Sequence, residues 1–228
     1  MRLISALLDL LFPPKCIFCR KLLQEEETAL CSDCAAEALE MEAEDTHGEF
    51  FTQCISVFPY AGAVAASIRR YKFHGAAHYG AVYGALLAAR IQTRLQGSFD
   101  TITWVPVSGR RRRSRGYDQA ELLCRAVARS LGRKPERLLR KMVDNPAQAR
   151  SGGPAQRRAN VLGVYMLARG TNVKGRRILL IDDIVTTGAT LSECSRVLLT
   201  AGAREVVCAT FAATPVMELK KNDVQTDQ

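Results

Sequence analysis

The sequence predicts an α/β protein: a mostly parallel sheet with helices on both faces, preceded by a small four-cysteine metal module. Three observations carry this expectation. Strand-like runs alternate with helical runs through most of the 228 residues, the pattern of a parallel sheet wrapped by its crossover helices. The run Ile178-Leu179-Leu180-Ile181 is apolar at every position, as a strand buried on both faces must be. Cys16, Cys19, Cys31 and Cys34 form two CxxC pairs with eleven residues between them, a spacing that suits one tetrahedral metal.

The elements follow in chain order. Leu3–Phe12 is apolar but interrupted by Asp9. It lacks a small-residue cleavage site and falls far short of the roughly 20 apolar residues of a membrane span, so a short amphipathic helix is expected. Each CxxC bends into a knuckle that aims two thiolates at a metal, and two knuckles complete a closed, structural shell. Two disulfides are the competing reading, disfavoured in a reducing compartment. A redox dithiol would need only one CxxC. The remaining Cys54, Cys124, Cys194 and Cys208 sit in apolar patterns and read as small core residues.

Ala35–Glu49 is acidic and reads as a helix plus linker, placing a domain boundary near residue 45: a metal module over 1–44 and a main domain over 45–228. Cys54–Tyr60 ends at Pro59 and reads as an edge strand or strand end. Helical patterns cover Ala61–Arg70 and Tyr79–Leu95, on either side of Lys72-Phe73-His74-Gly75. Thr101–Val107 is a β-rich run that looks central, and Asp118–Leu131 is an amphipathic helix. Arg137–Met142 and Val161–Leu167 read as strands flanking a long irregular segment. The final strand–helix–strand unit spans Ile178–Ile181, Ala189–Ala201 and Glu205–Phe211, and the residues after Pro215 form a polar, fraying tail.

Bulk composition excludes a disordered chain and a disulfide scaffold. Hydrophobic residues make up 47% and charged residues 24%, as in ordinary globular domains. The net charge of +9 favours anionic partners, phosphorylated small molecules or nucleic acid, without choosing between them. With no candidate span, a cytoplasmic protein is expected.

Three loops at the carboxyl ends of strands carry the candidate chemistry. Asp182 and Asp183 follow the buried strand, then come Thr186, Thr187, Gly188, Ala189 and Thr190 as a helix begins. Free N–H groups at a helix start favour a phosphate. Two adjacent carboxylates would repel a bare anion, so their partners should be sugar hydroxyls or a hard cation such as Mg²⁺. A ribose bearing a 5-phosphate and a pyrophosphate supplies all three. The second loop, Ser108 to Gly116, holds five arginines in six positions, Arg110–Arg113 and Arg115. Guanidinium groups suit phosphate, so this loop fits a pyrophosphate or a nucleic-acid backbone equally, with a solvated basic loop as the bland alternative. The third, Val143–Asn160, has the length and Gly/Pro content of an active-site lid or of a plain insertion.

The run from Ile178 to Thr190 resembles the 5-phosphoribosyl-1-pyrophosphate (PRPP) loop of type I phosphoribosyltransferases: an apolar strand, two acids, then TTGxT. That resemblance implies that Asp182 and Asp183 hold the ribose hydroxyls at the reacting sugar, and that Thr186 to Thr190 hold the 5-phosphate with Mg²⁺ alongside. Ser108, Arg111, Arg113 and Arg115 are the candidate pyrophosphate contacts. The wider set also includes Pro106-Val107-Ser108, Arg115-Gly116-Tyr117-Asp118-Gln119, Gln148, and Arg157 with Asn160. With the cysteine module it resembles the ComF family of competence-associated proteins, which implies a structural Zn²⁺ ahead of a phosphoribosyltransferase-type fold. Where that family's run reads RGFNQ, this chain has Tyr117 and Asp118, and the acid weakens an anion-binding role for that side chain.

The implied reaction is displacement at the ribose C1 by a nitrogen nucleophile, with pyrophosphate leaving. Folds of this type also include regulators that do not catalyse transfer. Two further readings therefore stand: a non-catalytic factor handling single-stranded DNA or contacting the DNA-uptake machinery, its PRPP site regulatory or vestigial, and a purely structural scaffold. The acceptor, the oligomeric state and the roles of His74 and His78 are not legible.

Overall fold

The computed structural model describes residues 13–143 and 161–215. The expected N-terminal helix, most of the long Gly/Pro segment with Gln148, Arg157 and Asn160, and the C-terminal tail lie outside the described residues. Helix α1 (Ser32–Glu40) and strand β1 (Thr46–Gly48) come first. They are followed by β2 (Phe51–Pro59), α2 (Gly62–Phe73), α3 (Tyr79–Arg94) and β3 (Thr101–Trp104). Then come α4 (Gly109–Arg115), α5 (Gln119–Ser130), β4 (Leu139–Lys141) and β5 (Tyr165–Leu167). The chain closes with β6 (Arg177–Val185), α6 (Ala189–Thr200) and β7 (Glu205–Ala213).

The main sheet has the order β1-β2-β7-β6-β3, with β2, β7, β6 and β3 all parallel and only the short β1 antiparallel. Strand alternation divides its side chains between two cores. Ile55, Leu179, Ile181, Val207 and Phe211 point to one face, where they meet α3 and α5 through Leu87, Ile91, Leu123 and Val127. Ile178, Leu180, Val206 and Cys208 point to the other and meet α6 through Leu191, Cys194 and Leu198. Ile178 through Ile181 are all fully buried, each such side chain contributing about 1.5–3 kcal/mol. Helix α3 lies so close to α5 that a Cβ on Gly84 would stand 2.2 Å from Ala126 Cβ, which is why glycine occupies that position.

Two strand placements differ from the sequence reading. The run ending at Pro59 reads as an edge strand or a strand end: Pro59 is indeed the last residue of β2, but β2 lies between β1 and β7 and is not an edge. Tyr60 N–H donates to Ala213 O, so by alternation the nitrogen of Pro59 faces away from β7, beyond the stretch where β1 pairs with Phe51 and Cys54. The run Thr101–Val107 looked central, yet β3 is an edge strand of this sheet. Its four residues are all buried because the chain at Pro135–Leu138 covers them, Glu136 N–H bonding Ile102 O and Leu138 N–H bonding Thr103 Oγ1. Strands β4 and β5 form a separate antiparallel pair, and β1 was not foreseen.

The arginine loop is also a helix. Ser108 caps α4 by accepting from Arg111 N–H at 3.4 Å. Asp118 caps α5, its carboxylate accepting from Glu121 N–H at 3.1 Å and from Val107 N–H at 3.0 Å. The acid at the unusual position thus staples the end of the β3 loop to the start of α5. Burial pushes its carboxyl above the usual range, against the pull of those two N–H groups. Replacing Asp118 with Ala should cost about 1–2 kcal/mol, the usual worth of a helix cap, whereas Asp118→Asn sheds the buried charge and keeps one of the two acceptors, leaving the other N–H to face an amide NH₂. Urea unfolding should place the Ala variant well below wild type and the Asn variant between the two.

Candidate functional site

The four predicted metal ligands meet. Their Sγ atoms all lie within 4.8 Å of one another, with Cys19 and Cys31 at 3.5 Å. That is far beyond a disulfide bond and close to the roughly 3.8 Å edge of a tetrahedron built on 2.3 Å Zn–S bonds. The first knuckle turns through Arg20, which takes the left-handed conformation (φ 73°) as its N–H bonds Cys16 O. The second sits on a helix start: Cys31 is the N-cap of α1, and Cys34 lies in its first turn. At Cys16, burial works against the charge, but the N–H groups of Cys31, Cys19 and Phe18 outweigh it and lower the thiol to about 7. At Cys34 burial prevails and pushes the thiol up, so ionisation there has to come with the metal. The closed, soft set of four sulfurs fits zinc and leaves no position for a substrate.

The second site is a cleft of about 320 Å³ at the carboxyl end of the sheet. Strand β6 does not stop where its apolar run ends. Its ladder with β7 continues through Asp182↔Thr210 to Val185↔Ala213, so both carboxylates stand on a strand instead of a loop. Burial, then the charge of Asp183, pushes the Asp182 carboxyl well above the usual carboxylate range, opposed by Lys72 and by the Asp183 N–H that Asp182 Oδ1 accepts at 2.8 Å. Asp183 pairs with Lys72 Nζ at 2.8 Å. Gly188, in the left-handed conformation at φ 71°, starts α6 with no side-chain cap, which leaves its first N–H groups for a ligand.

The cleft gathers Asp182, Asp183, Thr186, Thr190, Arg111 and Arg115 from the predicted set. Thr187, Gly188 and Ala189 line an adjoining cavity of about 550 Å³ between the loop and the β1–β2 turn. Ser108 is buried and spends its hydroxyl on the cap, while Arg113 is exposed; neither lines the cleft. The helix explains the sorting, since residues four apart share a face. Arg111 and Arg115 turn inward, Arg110, Arg112 and Arg113 are exposed, and Arg112 pairs with Glu121 at 3.6 Å. Arg115 Nη1 donates to Gln119 Oε1 at 2.9 Å and lies 4.8 Å over the ring of Phe73.

Sequence reasoning assigned no role to Lys72, Gln119, Lys141 or Tyr165, which complete the cleft. Lys141 lies 5.2 Å from the Tyr165 ring across the β4–β5 pair. Of these, Lys72 left the clearest signal: it stands in Lys72-Phe73-His74-Gly75, where α2 ends at Phe73 and Gly75 follows the cap at φ 69°.

Two stretches of the chain match known families. Residues 120–227 match the phosphoribosyl transferase domain family, and residues 7–45 match the double zinc ribbon domain family. Competence protein F of Haemophilus influenzae is 34% identical over 108 residues, covering 47% of each chain. The DNA utilization protein YhgH of Escherichia coli K12 is 32% identical over 115 residues, covering 47% of this chain and 46% of that protein. The chain thus spans about half the length of the curated relatives it matches. Orotate phosphoribosyltransferase of a Nocardioides species is 42% identical over 64 residues, 26% of this chain and 36% of that one. Among solved structures, the allosteric regulatory enzyme of purine biosynthesis matches at 22% identity and TM-score 0.39, over 57% of this chain and 25% of that one. A Bacillus anthracis hypoxanthine-guanine phosphoribosyltransferase matches at 13% identity and TM-score 0.40, over 66% and 77%.

Two outcomes follow for this chain. Protein purified under reducing conditions should hold close to one zinc per chain, and Cys16→Ser should lose it together with the fold of the N-terminal module, since metal binding there is folding energy; elemental analysis and circular dichroism check this. Asp182, raised in the folded state, binds more protons folded than unfolded between about pH 4 and its raised value. Ligand-free stability therefore falls as pH rises through that window. Asp182→Asn removes the effect. By thermal denaturation it should match wild type near pH 4 and be the more stable of the two at pH 8.

Proposed function

We propose that residues 45–228 form a phosphoribosyltransferase-type domain that binds PRPP or a related ribose phosphate with Mg²⁺, on a chain whose residues 1–44 form a structural zinc module. The observation that carries the reading is the joint placement of the Asp182–Asp183 pair, Thr186 and Thr190, and the inward arginines around one cleft. The carboxylates accept from the ribose hydroxyls. The uncapped start of α6 and the threonine hydroxyls hold the 5-phosphate. Arg111, Arg115 and Lys141 face the pyrophosphate, where they stabilise the charge that develops as the C1–O bond breaks and a nitrogen nucleophile bonds to C1. Two adjacent carboxylates that share Lys72 as their close counter-charge are a hard-oxygen donor set that would suit a divalent cation; Mg²⁺ would there neutralise the pyrophosphate.

The setting follows from its relatives: competence protein F and the DNA utilization protein support work alongside DNA uptake or nucleotide salvage in the cytoplasm. Among the described residues no helix is long and apolar enough to cross a membrane. A second reading, direct handling of single-stranded DNA, is favoured by the exposure of Arg110, Arg112 and Arg113 on the outer side of α4.

Calorimetry should find PRPP binding that Mg²⁺ strengthens. Asp183→Ala and Thr190→Ala should each weaken it by roughly ten- to a hundredfold, the worth of one charge-assisted contact. Wild-type affinity in both variants overturns the site. Changing Arg110, Arg112 and Arg113 together to Ala should leave PRPP affinity intact. If the chain binds single-stranded DNA, the same change should flatten the dependence of DNA affinity on salt, since each phosphate contact releases counterions.

A further inference from the structure

The last turn and a half of α2 holds two sites at once. Toward the cysteine module, Ser67 Oγ donates to Ile17 O, and Arg70 Nη2 donates to the carbonyls of Ile17 and Phe18, both at 2.7 Å. Ile17 and Phe18 are the two residues between Cys16 and Cys19, so closing the knuckle fixes the direction of their carbonyls, together with the packing of Phe18 on Phe58 and the bond from Ile17 N–H to Ala29 O. Toward the cleft, Lys72 Nζ meets Asp183 at 2.8 Å, and Tyr71 Oη donates to Gln119 O at 2.8 Å. Tyr71 O in turn accepts from Tyr117 Oη, and Gln119 Oε1 takes the bond from Arg115. The turn between these contacts is closed by His74 N–H bonding Arg70 O at 3.0 Å.

Arg70 depends on the knuckle. Its Nε is buried without a hydrogen-bond partner. None of the ion pairs among the described residues includes it. If the knuckle opens, the guanidinium loses the two carbonyls that compensate its burial and must turn toward water. Lys72 lies two residues further on the same turn and moves with it.

We propose that Arg70 is a positioning residue that ties Lys72 and Tyr71, and through them the carboxylate pair and the arginine helix, to the metal-closed knuckle. The four-cysteine module then helps to shape the cleft as well as standing beside it. The effect on affinity rests on the ribose-phosphate reading above; the mechanical link does not.

Hydrogen exchange followed by mass spectrometry on the full zinc-loaded chain tests the link without any ligand. Arg70→Met, with Ser67→Ala as a milder second variant, should retain zinc and speed exchange at residues 71–74 and 117–120, leaving α6 unchanged. Wild-type protein stripped of zinc by a chelator under reducing conditions should show the same two segments loosened. Unchanged exchange there in both variants, or acceleration spread equally over α6, overturns the proposal. Calorimetry with PRPP and Mg²⁺ adds the second arm. Arg70→Met should weaken binding about fivefold or more, a usual coupling between sites, and should cause no further loss when Lys72 is already Met. Additive losses would mean that Arg70 does not act through Lys72. Absence of PRPP binding in wild type would overturn the ligand reading alone, and the exchange data would still decide the link.

Discussion

Asp182 and Asp183 are fixed side by side because β6 keeps its ladder with β7 as far as Val185, and much of the cleft is an answer to that placement. On a solvated loop two carboxylates separate and hydrate. On a strand end, with burial added, one is driven toward protonation and the other needs a cation. Lys72 supplies it from the end of α2. The remaining electrostatic demand draws in the rest: Arg111 and Arg115 on one wall and Lys141 on another. A wholly basic cleft would bind any phosphate, and a wholly acidic one only cations. Acid pair, uncapped helix start and cations together suit the proposed ligand, which carries hydroxyls and phosphates at fixed separation.

The zinc module is bound to the same core. Cys16, Ile17, Phe18, Cys31 and Cys34 belong to one apolar cluster with Phe58, Tyr83 and Phe211 of the main domain, and Phe18 stands edge-on to Phe58 at 5.5 Å. A module of about 40 residues cannot bury enough apolar surface to fold alone. Here the metal closes its two knuckles and the sheet domain lends it a core. Packing runs on from the cysteine module into the sheet domain without a break, as Arg70 shows by reaching across to the carbonyls of Ile17 and Phe18, both at 2.7 Å.

What the sequence displayed well was whatever depends on local pattern. The buried strand, the helices over Tyr79–Arg94 and Gln119–Ser130, and the paired CxxC knuckles are each specified by contiguous residues. What it hid depends on distant segments. Thr101–Trp104 reads as central because the run is rich in β-forming residues, but it is an edge strand whose covering comes from Pro135–Leu138, more than thirty residues later. Lys72 carries no local mark of being a counter-ion, because its partner lies over a hundred residues away. Asp118 looked like a departure that weakened an anion site, yet its work is to cap α5 and hold Val107 N–H.

The arginine run shows why composition could not choose between pyrophosphate and nucleic acid. Read as a loop, five guanidinium groups form a single undivided charge. Wound into α4 by the cap at Ser108, the same residues separate by the helical period. Arg111 and Arg115 join a bounded cleft, and Arg110, Arg112 and Arg113 face solvent where only an extended partner could meet them together. The two readings therefore do not compete for the same side chains. A chain that holds a ribose phosphate on one side of α4 keeps the other side available for a phosphate backbone, and Glu121 limits that side by drawing Arg112 and Arg125 toward itself.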